Sequence, residues 1–227
     1  MPNEPVFKIL IVEDNPVDRE IYKRCLQHSQ LGGFEFREAG CATDGIQVSQ
    51  SWRPDCILLD FNLPKMDGLD VLATLQDDAG RVPFPIVMLT AFGDEALAVR
   101  AMKAGAMDYL PKGQVTSGTL RQTIMNAMER FEMQQRIETQ RFALAESGRR
   151  YQVLLEAIPE MVWTANAEGR VQYANNRWSE YTGLGLDNAA RLGWDQSVHP
   201  DDRKRSWSAW ESAVESGSEL EIEHRLQ

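Results

Sequence analysis

The sequence predicts an α/β fold: a doubly wound parallel sheet of five strands, then a long linker helix and a partial α+β region. Two observations carry this. Between about Phe7 and Met128, short apolar runs alternate with helical stretches in five rounds, the pattern of parallel strands buried on both faces. From Thr119 to about Ile158 no strong helix breaker occurs except Gly148, so one long helix is expected between that sheet and the C-terminal region, the alternative being a break near Gly148 and a separate short helix.

Taken in order, Lys8-Ile9-Leu10-Ile11-Val12 is the first strand. Asn15-Pro16 opens a helix to roughly Gln30, with Pro16 in the first turn, where a missing N–H is tolerated. Gly32-Gly33 breaks that helix, and Phe34-Glu35-Phe36 begins the second strand. Thr43 is placed to cap a second helix ending near Trp52, before Pro54. Cys56-Ile57-Leu58-Leu59 runs into Asp60, and the loop Leu63-Pro64-Lys65-Met66-Asp67-Gly68 feeds a helix to about Asp78. Pro83 and Pro85 lead into Ile86-Val87-Met88-Leu89, which ends on Thr90. Asp94 starts another helix that Gly105 stops, and Asp108 to Lys112 is the fifth strand.

In the long helix, Leu120, Ile124, Ala127 and Phe131 follow helical spacing. Beyond them Met133, Ile137, Leu144, Tyr151, Leu154 and Ile158 form a heptad seam completed by Gln140 and Ser147. The change of phase between the two series resembles a stutter, and the seam suits a parallel coiled coil. Further on, Met161-Val162-Trp163-Thr164 and Arg170-Val171-Gln172-Tyr173 read as a hairpin around Asn166-Ala167-Glu168-Gly169. A helix from about Pro200 to Ser216 and a strand starting at Leu220-Glu221-Ile222-Glu223 complete the reading.

At 227 residues the chain is long enough for two domains. A net charge of -10 argues against nucleic acid as the main partner, because phosphate backbones select basic surfaces. No apolar stretch reaches the roughly 18 residues that span a bilayer, and Met1-Pro2-Asn3-Glu4-Pro5 lacks the features of an export signal. A cytoplasmic protein is expected. Cys25, Cys41 and Cys56 show no metal or redox spacing, and Cys56 lies within a buried-strand pattern.

In open parallel sheets, ligands bind outside the carboxyl ends of the strands. Glu13-Asp14, Asp60, Thr90 and Lys112 all stand at such ends, which gathers three carboxylates, a hydroxyl and an ammonium at one edge. Taken singly, each has an ordinary role as a cap or a solvated residue. Together they suit a hard divalent cation and a phosphoryl group. Mg²⁺ takes oxygen ligands, here Glu13, Asp14, Asp60 and the backbone carbonyl of Asn62. Asp60 is the candidate nucleophile, which needs no general base because a carboxylate is ionised at neutral pH. Thr90 can donate to a phosphoryl oxygen and Lys112 can neutralise another.

Glu13-Asp14-Asn15, the run from Leu58 to Gly68, Leu89-Thr90-Ala91 and Asp108-Tyr109-Leu110-Pro111-Lys112 resemble the receiver domain of two-component response regulators over about the first 125 residues. The resemblance implies a flavodoxin-like sheet of order 2-1-3-4-5. It also implies that Asp60 accepts a phosphoryl group from a histidine kinase or histidine phosphotransfer protein, with Mg²⁺, and that Thr90 and Tyr109 form a switch pair. Gly113 follows Lys112 where the family usually has proline. An alternative use of the same residues is a phosphatase-like α/β enzyme with Asp60 as turnover nucleophile. That reading wants a further acid to protonate a leaving group, and none stands near Asp60 in the motif.

Ala157-Ile158-Pro159-Glu160-Met161-Val162-Trp163, Val171-Gln172-Tyr173-Ala174-Asn175-Asn176, Tyr181-Thr182-Gly183 and Val198-His199-Pro200-Asp201-Asp202-Arg203 resemble a PAS domain. The expected division is a receiver over 1–128, a linker helix over 129–150 and a PAS region over 151–227 without its closing strands. No cofactor is assigned to it: no cysteine lies beyond Cys56, and His199 is read as shaping a turn before a helix capped by Asp201 or Asp202. The tryptophans Trp163, Trp178, Trp194, Trp207 and Trp210 read as core and interface residues, and Gly183-Leu184-Gly185 is too short for a dinucleotide loop. The expected whole is a dimeric, non-enzymatic signalling module whose state change passes along the helix to the PAS region. A sensor centred on a PAS-bound small molecule is the other alternative.

Overall fold

The computed structural model describes residues 6–27, 33–90, 95–183, 185 and 194–226. Two compact units divide the chain, Met1–Thr139 and Gln140–Gln227.

The first unit alternates β1 (Val6–Val12), α1 (Pro16–Gln27), β2 (Gly33–Ala39), α2 (Ala42–Trp52), β3 (Cys56–Asp60), α3 (Gly68–Leu75), β4 (Ile86–Thr90), α4 (Glu95–Lys103) and β5 (Asp108–Pro111). The strands pair in parallel in the order β2-β1-β3-β4-β5. Every residue of β3 and β4 is buried, and side-chain alternation explains why these runs are apolar throughout. Ile9, Ile11, Leu58, Val87 and Leu89 face Tyr22 and Leu26 of α1 and Leu120, Ile124 and Ala127 of the last helix. Leu10, Val12, Ile57, Leu59 and Met88 face the opposite layer, with Val71 and Leu72 of α3 and Ala101 of α4.

Gly45 marks how closely α2 lies on β1, since a Cβ there would stand 2.8 Å from both methyl groups of Val12. Gly45→Ala is expected to lower stability by roughly 1–2 kcal/mol. Overpacking costs about 1–3 kcal/mol, partly offset by about 1 kcal/mol of helix propensity. A urea unfolding midpoint unchanged or raised by the substitution would contradict this packing.

After β5, Lys112–Gln114 forms a short 3₁₀ turn, and α5 runs unbroken through Ser117–Ala157. The continuous helix expected from the sequence is present, and Gly148 does not interrupt it. Leu120, Ile124 and Ala127 are its buried residues, whereas Met133, Ile137, Leu144, Tyr151 and Leu154 of the heptad seam are exposed.

In the second unit β6 (Trp163–Ala165) and β7 (Val171–Ala174) form an antiparallel hairpin closed by Asn166 and Gly169. Asn175 is fully buried with its amide satisfied. Its Oδ1 accepts from Val162 N at 3.0 Å and Trp178 N at 3.3 Å, and its Nδ2 donates to the carbonyls of Leu155 and Glu160. It thereby ties the end of α5 and the hairpin to α6 (Asn176–Thr182). A 3₁₀ turn, Trp194–Ser197, and α7 (Pro200–Ser216) follow. Trp163 stacks on Trp194 and Trp210 at 5.7 and 5.9 Å, and Trp194 lies tilted to Trp210 at 5.6 Å, as the centre of this small core.

Several local expectations are corrected. The first helix is described as far as Gln27, and its expected extension to Gln30, the break at Gly32, Ala91 of the third motif and the start at Asp94 lie outside the described residues, as does Leu184. Cys41, not Thr43, is the N-cap of α2, because it alone keeps extended backbone angles. The third helix stops at Leu75 rather than Asp78, since the Asp77 carboxylate takes the backbone N–H groups of Ala79 and Arg81 into a turn. The fifth strand ends at Pro111, one residue before Lys112. His199 itself caps α7, its Nδ1 accepting from Asp201 N at 3.3 Å, while Asp202 is engaged by Arg225 at 2.9 Å. The strand expected from Leu220 does not form. Among the described residues a bridge of Leu226 to Val198 pairs there, and side chains of α7 hold the segment instead, Arg205 donating to the Glu223 carbonyl. No described peptide bond is cis, Lys112–Gly113 included. No described helix is long and apolar enough to cross a membrane.

Candidate functional site

The carboxyl ends of β1, β3, β4 and β5 bring the predicted residues to one edge. Glu13 follows β1 and is fully buried, Asp14 is exposed, and Asp60 closes β3 at 1% exposure. One carboxylate oxygen from each of these three lies within 4.8 Å of the others. Thr90 closes β4 and is buried. Lys112 reaches in from the turn after β5, its Nζ standing 2.8 Å from Glu13 Oε2 and 3.0 Å from Asp60 Oδ1. Tyr109 is 39% exposed on β5, and Asn62 is exposed in the loop after Asp60. That loop is drawn tight by Gly68 N donating to the Phe61 carbonyl and by the reciprocal cap of Asp67 and Asp70. Lys65 adopts a left-handed φ of 70° within it. A Cβ at Gly68 would come within 3.0 Å of the Asp60 carbonyl, so only glycine lets α3 begin this close to the strand end.

Glu13 is held from three sides. Its Oε1 accepts from Asn15 N at 3.2 Å, and its Oε2 accepts from Lys112 and, at 3.4 Å, from the Tyr22 hydroxyl. Burial pushes its carboxyl above the ordinary value and the Asp60 charge adds to that, with Lys112 opposing. Burial alone would pull the Lys112 ammonium down, yet its hydrogen bond to Glu13 and the close charges of Asp60 and Glu13 hold it above its ordinary value. Burial, then the charges of Glu13, Asp18 and Asp60, push the Tyr22 phenol well up, so it stays a donor. Among the described residues Asp60 Oδ1 is buried with no hydrogen-bond partner, and its contact with Lys112 is an ion pair without a hydrogen bond's alignment. A buried carboxylate oxygen left open beside two other carboxylates fits a hard cation that takes oxygen donors.

Three participants are absent from the sequence expectation. Asp18 places Oδ2 3.4 Å from Lys112 Nζ. Tyr22 supports Glu13, and Arg19 Nη1 donates to the Glu13 and Asp14 carbonyls at 2.6 and 3.2 Å, fixing the backbone that carries the acids. The spacing of Asp14, Asp18 and Tyr22, four residues apart, is the signal that puts them on one side of the chain.

A family model described as the response regulator receiver domain matches residues 9–125, and one described as the PAS fold matches residues 171–227. The chain is 33% identical over 111 residues to a protein-glutamate methylesterase/protein-glutamine glutaminase of Pyrococcus horikoshii, covering 47% of this chain and 28% of that protein. It is 37% identical over 105 residues to the DNA-binding response regulator MtrA of Mycolicibacterium smegmatis, covering 46% of this chain and 43% of that one. The match thus spans less than half of either relative's length. Among solved structures, the signal receiver domain of a Luxo repressor-type protein from Vibrio parahaemolyticus superposes with a TM-score of 0.51 at 26% identity. That superposition covers 59% of this chain and 98% of the other.

Proposed function

Because this chain belongs to the response regulator receiver domain family, we propose that it is a phosphorylation-controlled signalling module in which Asp60 is the phosphoacceptor. The single observation that carries this is the open, buried Asp60 oxygen at a strand end, with Lys112 3.0 Å away and two further carboxylates at hand. In the step, an Asp60 carboxylate oxygen attacks phosphorus, the bond from phosphorus to the donor histidine nitrogen breaks, and that nitrogen leaves with the electron pair. Lys112 takes up charge on the phosphoryl oxygens, and Thr90 donates to one of them. Glu13, Asp14, Asp60 and the Asn62 carbonyl would hold Mg²⁺, which neutralises charge between the carboxylates and the incoming group. Thr90 and Tyr109 are the proposed switch pair, with Tyr109 starting from an exposed position.

The proposed division is a receiver over 1–128, a linker over 129–150 and a PAS region over 151–227. The donor is a histidine kinase or histidine phosphotransfer protein, and the setting is cytoplasmic. Exposed Val17 and Ile21, one turn apart on α1 beside the site, offer that donor an apolar foothold. The chain acts as a phosphoacceptor and not as a turnover enzyme. Incubation with a small-molecule phosphodonor and Mg²⁺ should add one phosphoryl group, and Asp60→Asn should remove all labelling. Undiminished labelling of the variant would overturn the assignment.

A further inference from the structure

Lys112 is shared by three carboxylates, not two. Besides Glu13 at 2.8 Å and Asp60 at 3.0 Å, Asp18 in the first turn of α1 approaches to 3.4 Å. The ammonium donates hydrogen bonds to Glu13 and to Asp18, while Asp60 meets it as an ion pair without a hydrogen bond's alignment. A phosphoryl group on Asp60 draws the same ammonium toward its own oxygens, against its hydrogen bonds to Glu13 and Asp18. Glu13 is fully buried, and leaving it unpaired carries the full desolvation penalty of a charge. Asp60 itself becomes the acyl phosphate. The Asp18 side chain is 28% exposed and can be rehydrated, so it is the partner that releases.

Resting on the phosphoacceptor reading of Asp60, we propose that Asp18 is a positioning residue. It acts through Lys112, holding the ammonium on the α1 side and competing with the phosphoryl group for it. Asp18 then weakens the phosphorylated state and shortens its lifetime. It is not a further ligand of the acidic cluster, whose close set among the described residues is Glu13, Asp14 and Asp60.

The test uses the full chain with saturating Mg²⁺ and beryllofluoride, a tetrahedral phosphoryl mimic that binds carboxylates, followed by calorimetry. Phosphoryl-label decay is measured in parallel. Asp18→Asn removes the charge at nearly constant shape and should tighten beryllofluoride binding about two- to five-fold, the range expected for a partly exposed ion pair. The label should persist longer by a similar factor. Asp18→Glu should restore the wild-type values, a rescue that loss of a merely structural contact would not give. Equal or weaker beryllofluoride binding by Asp18→Asn, or Asp18→Glu behaving like Asp18→Asn, overturns the inference while the Asp60 reading stands. A wild-type chain that neither binds beryllofluoride nor takes label overturns both.

Discussion

Lys112→Ala is expected to lower the stability of the metal-free first unit by about 2–4 kcal/mol at neutral pH and to abolish phosphoryl retention. Removing one partner of a buried pair costs about 3–5 kcal/mol, reduced here because the lysine side chain is 28% exposed. The loss has a pH signature whose sign follows from the two shifted groups. Lys112 lies above its ordinary value, so its stabilisation is complete below about 10.5 and is lost as pH rises through the folded value. The variant should lack that alkaline loss. Glu13 also lies above its ordinary 4.5, so the folded state binds the extra proton and stability falls as pH rises through that window. Without the ammonium to oppose burial and the Asp60 charge, this second dependence should steepen and move up in pH. Mg²⁺ should recover much of the neutral-pH loss by replacing the missing positive charge. Denaturant unfolding across pH, with and without Mg²⁺, reads all of this. A variant as stable as wild type, with an unchanged profile, would mean the ammonium does not hold the acids together.

The second large effect is expected in self-association. On α5 the seam residues Met133, Ile137, Leu144, Tyr151 and Leu154 are 45% to 75% exposed, while the helix's buried residues stop at Ala127. A run of apolar side chains at heptad spacing gains only against a partner, and a second copy of the same helix supplies the same spacing in parallel register. Burial of a Leu side chain contributes about 1.5–3 kcal/mol, and a symmetric pair counts it twice. Leu144→Lys should therefore weaken a dimer by at least about 100-fold, seen as a shift to monomer in sedimentation equilibrium. The short β6–β7 sheet has open edges that also invite association. An edge substitution at Thr164 serves as the control, and it should leave the dimer intact. A wild-type chain that stays monomeric at high concentration, with and without beryllofluoride, would make α5 a tether and not a dimer element.

How much of this was legible depends on the length scale of each signal. The strand ends were readable because continuous apolar runs such as Ile57 to Leu59 can only be buried on both faces, and a charged residue at the end of such a run must leave the sheet at its edge. Glu13, Asp60, Thr90 and Lys112 converge for that reason. Asp18 was not readable from the motif because its role depends on how α1 lies across the strand ends, a tertiary fact. The caps went astray where side chains compete over one or two residues: Cys41 holds extended geometry where Thr43 had the better chemistry, and Asp77 ends α3 by seizing backbone donors. Leu220 to Glu223 alternates like a strand, but alternation needs a neighbour, and side chains of α7 take that segment's backbone instead.

The tryptophan core has a spectroscopic consequence. Of the six tryptophans in the chain, only Trp52 belongs to the first unit, where it packs at the end of α2 against the cations of Lys8 and Arg37. The other five lie in the second unit, and the indole N–H groups of Trp178, Trp194 and Trp210 are buried without an acceptor among the described residues. Closely packed indoles respond to small changes in spacing and hydration, while Asp60 has no tryptophan among its own elements. Intrinsic emission is therefore a reporter located in one unit for chemistry located in the other. In a Trp52→Phe background, any change in that emission when Asp60 is phosphorylated measures communication along the chain directly, with no label attached.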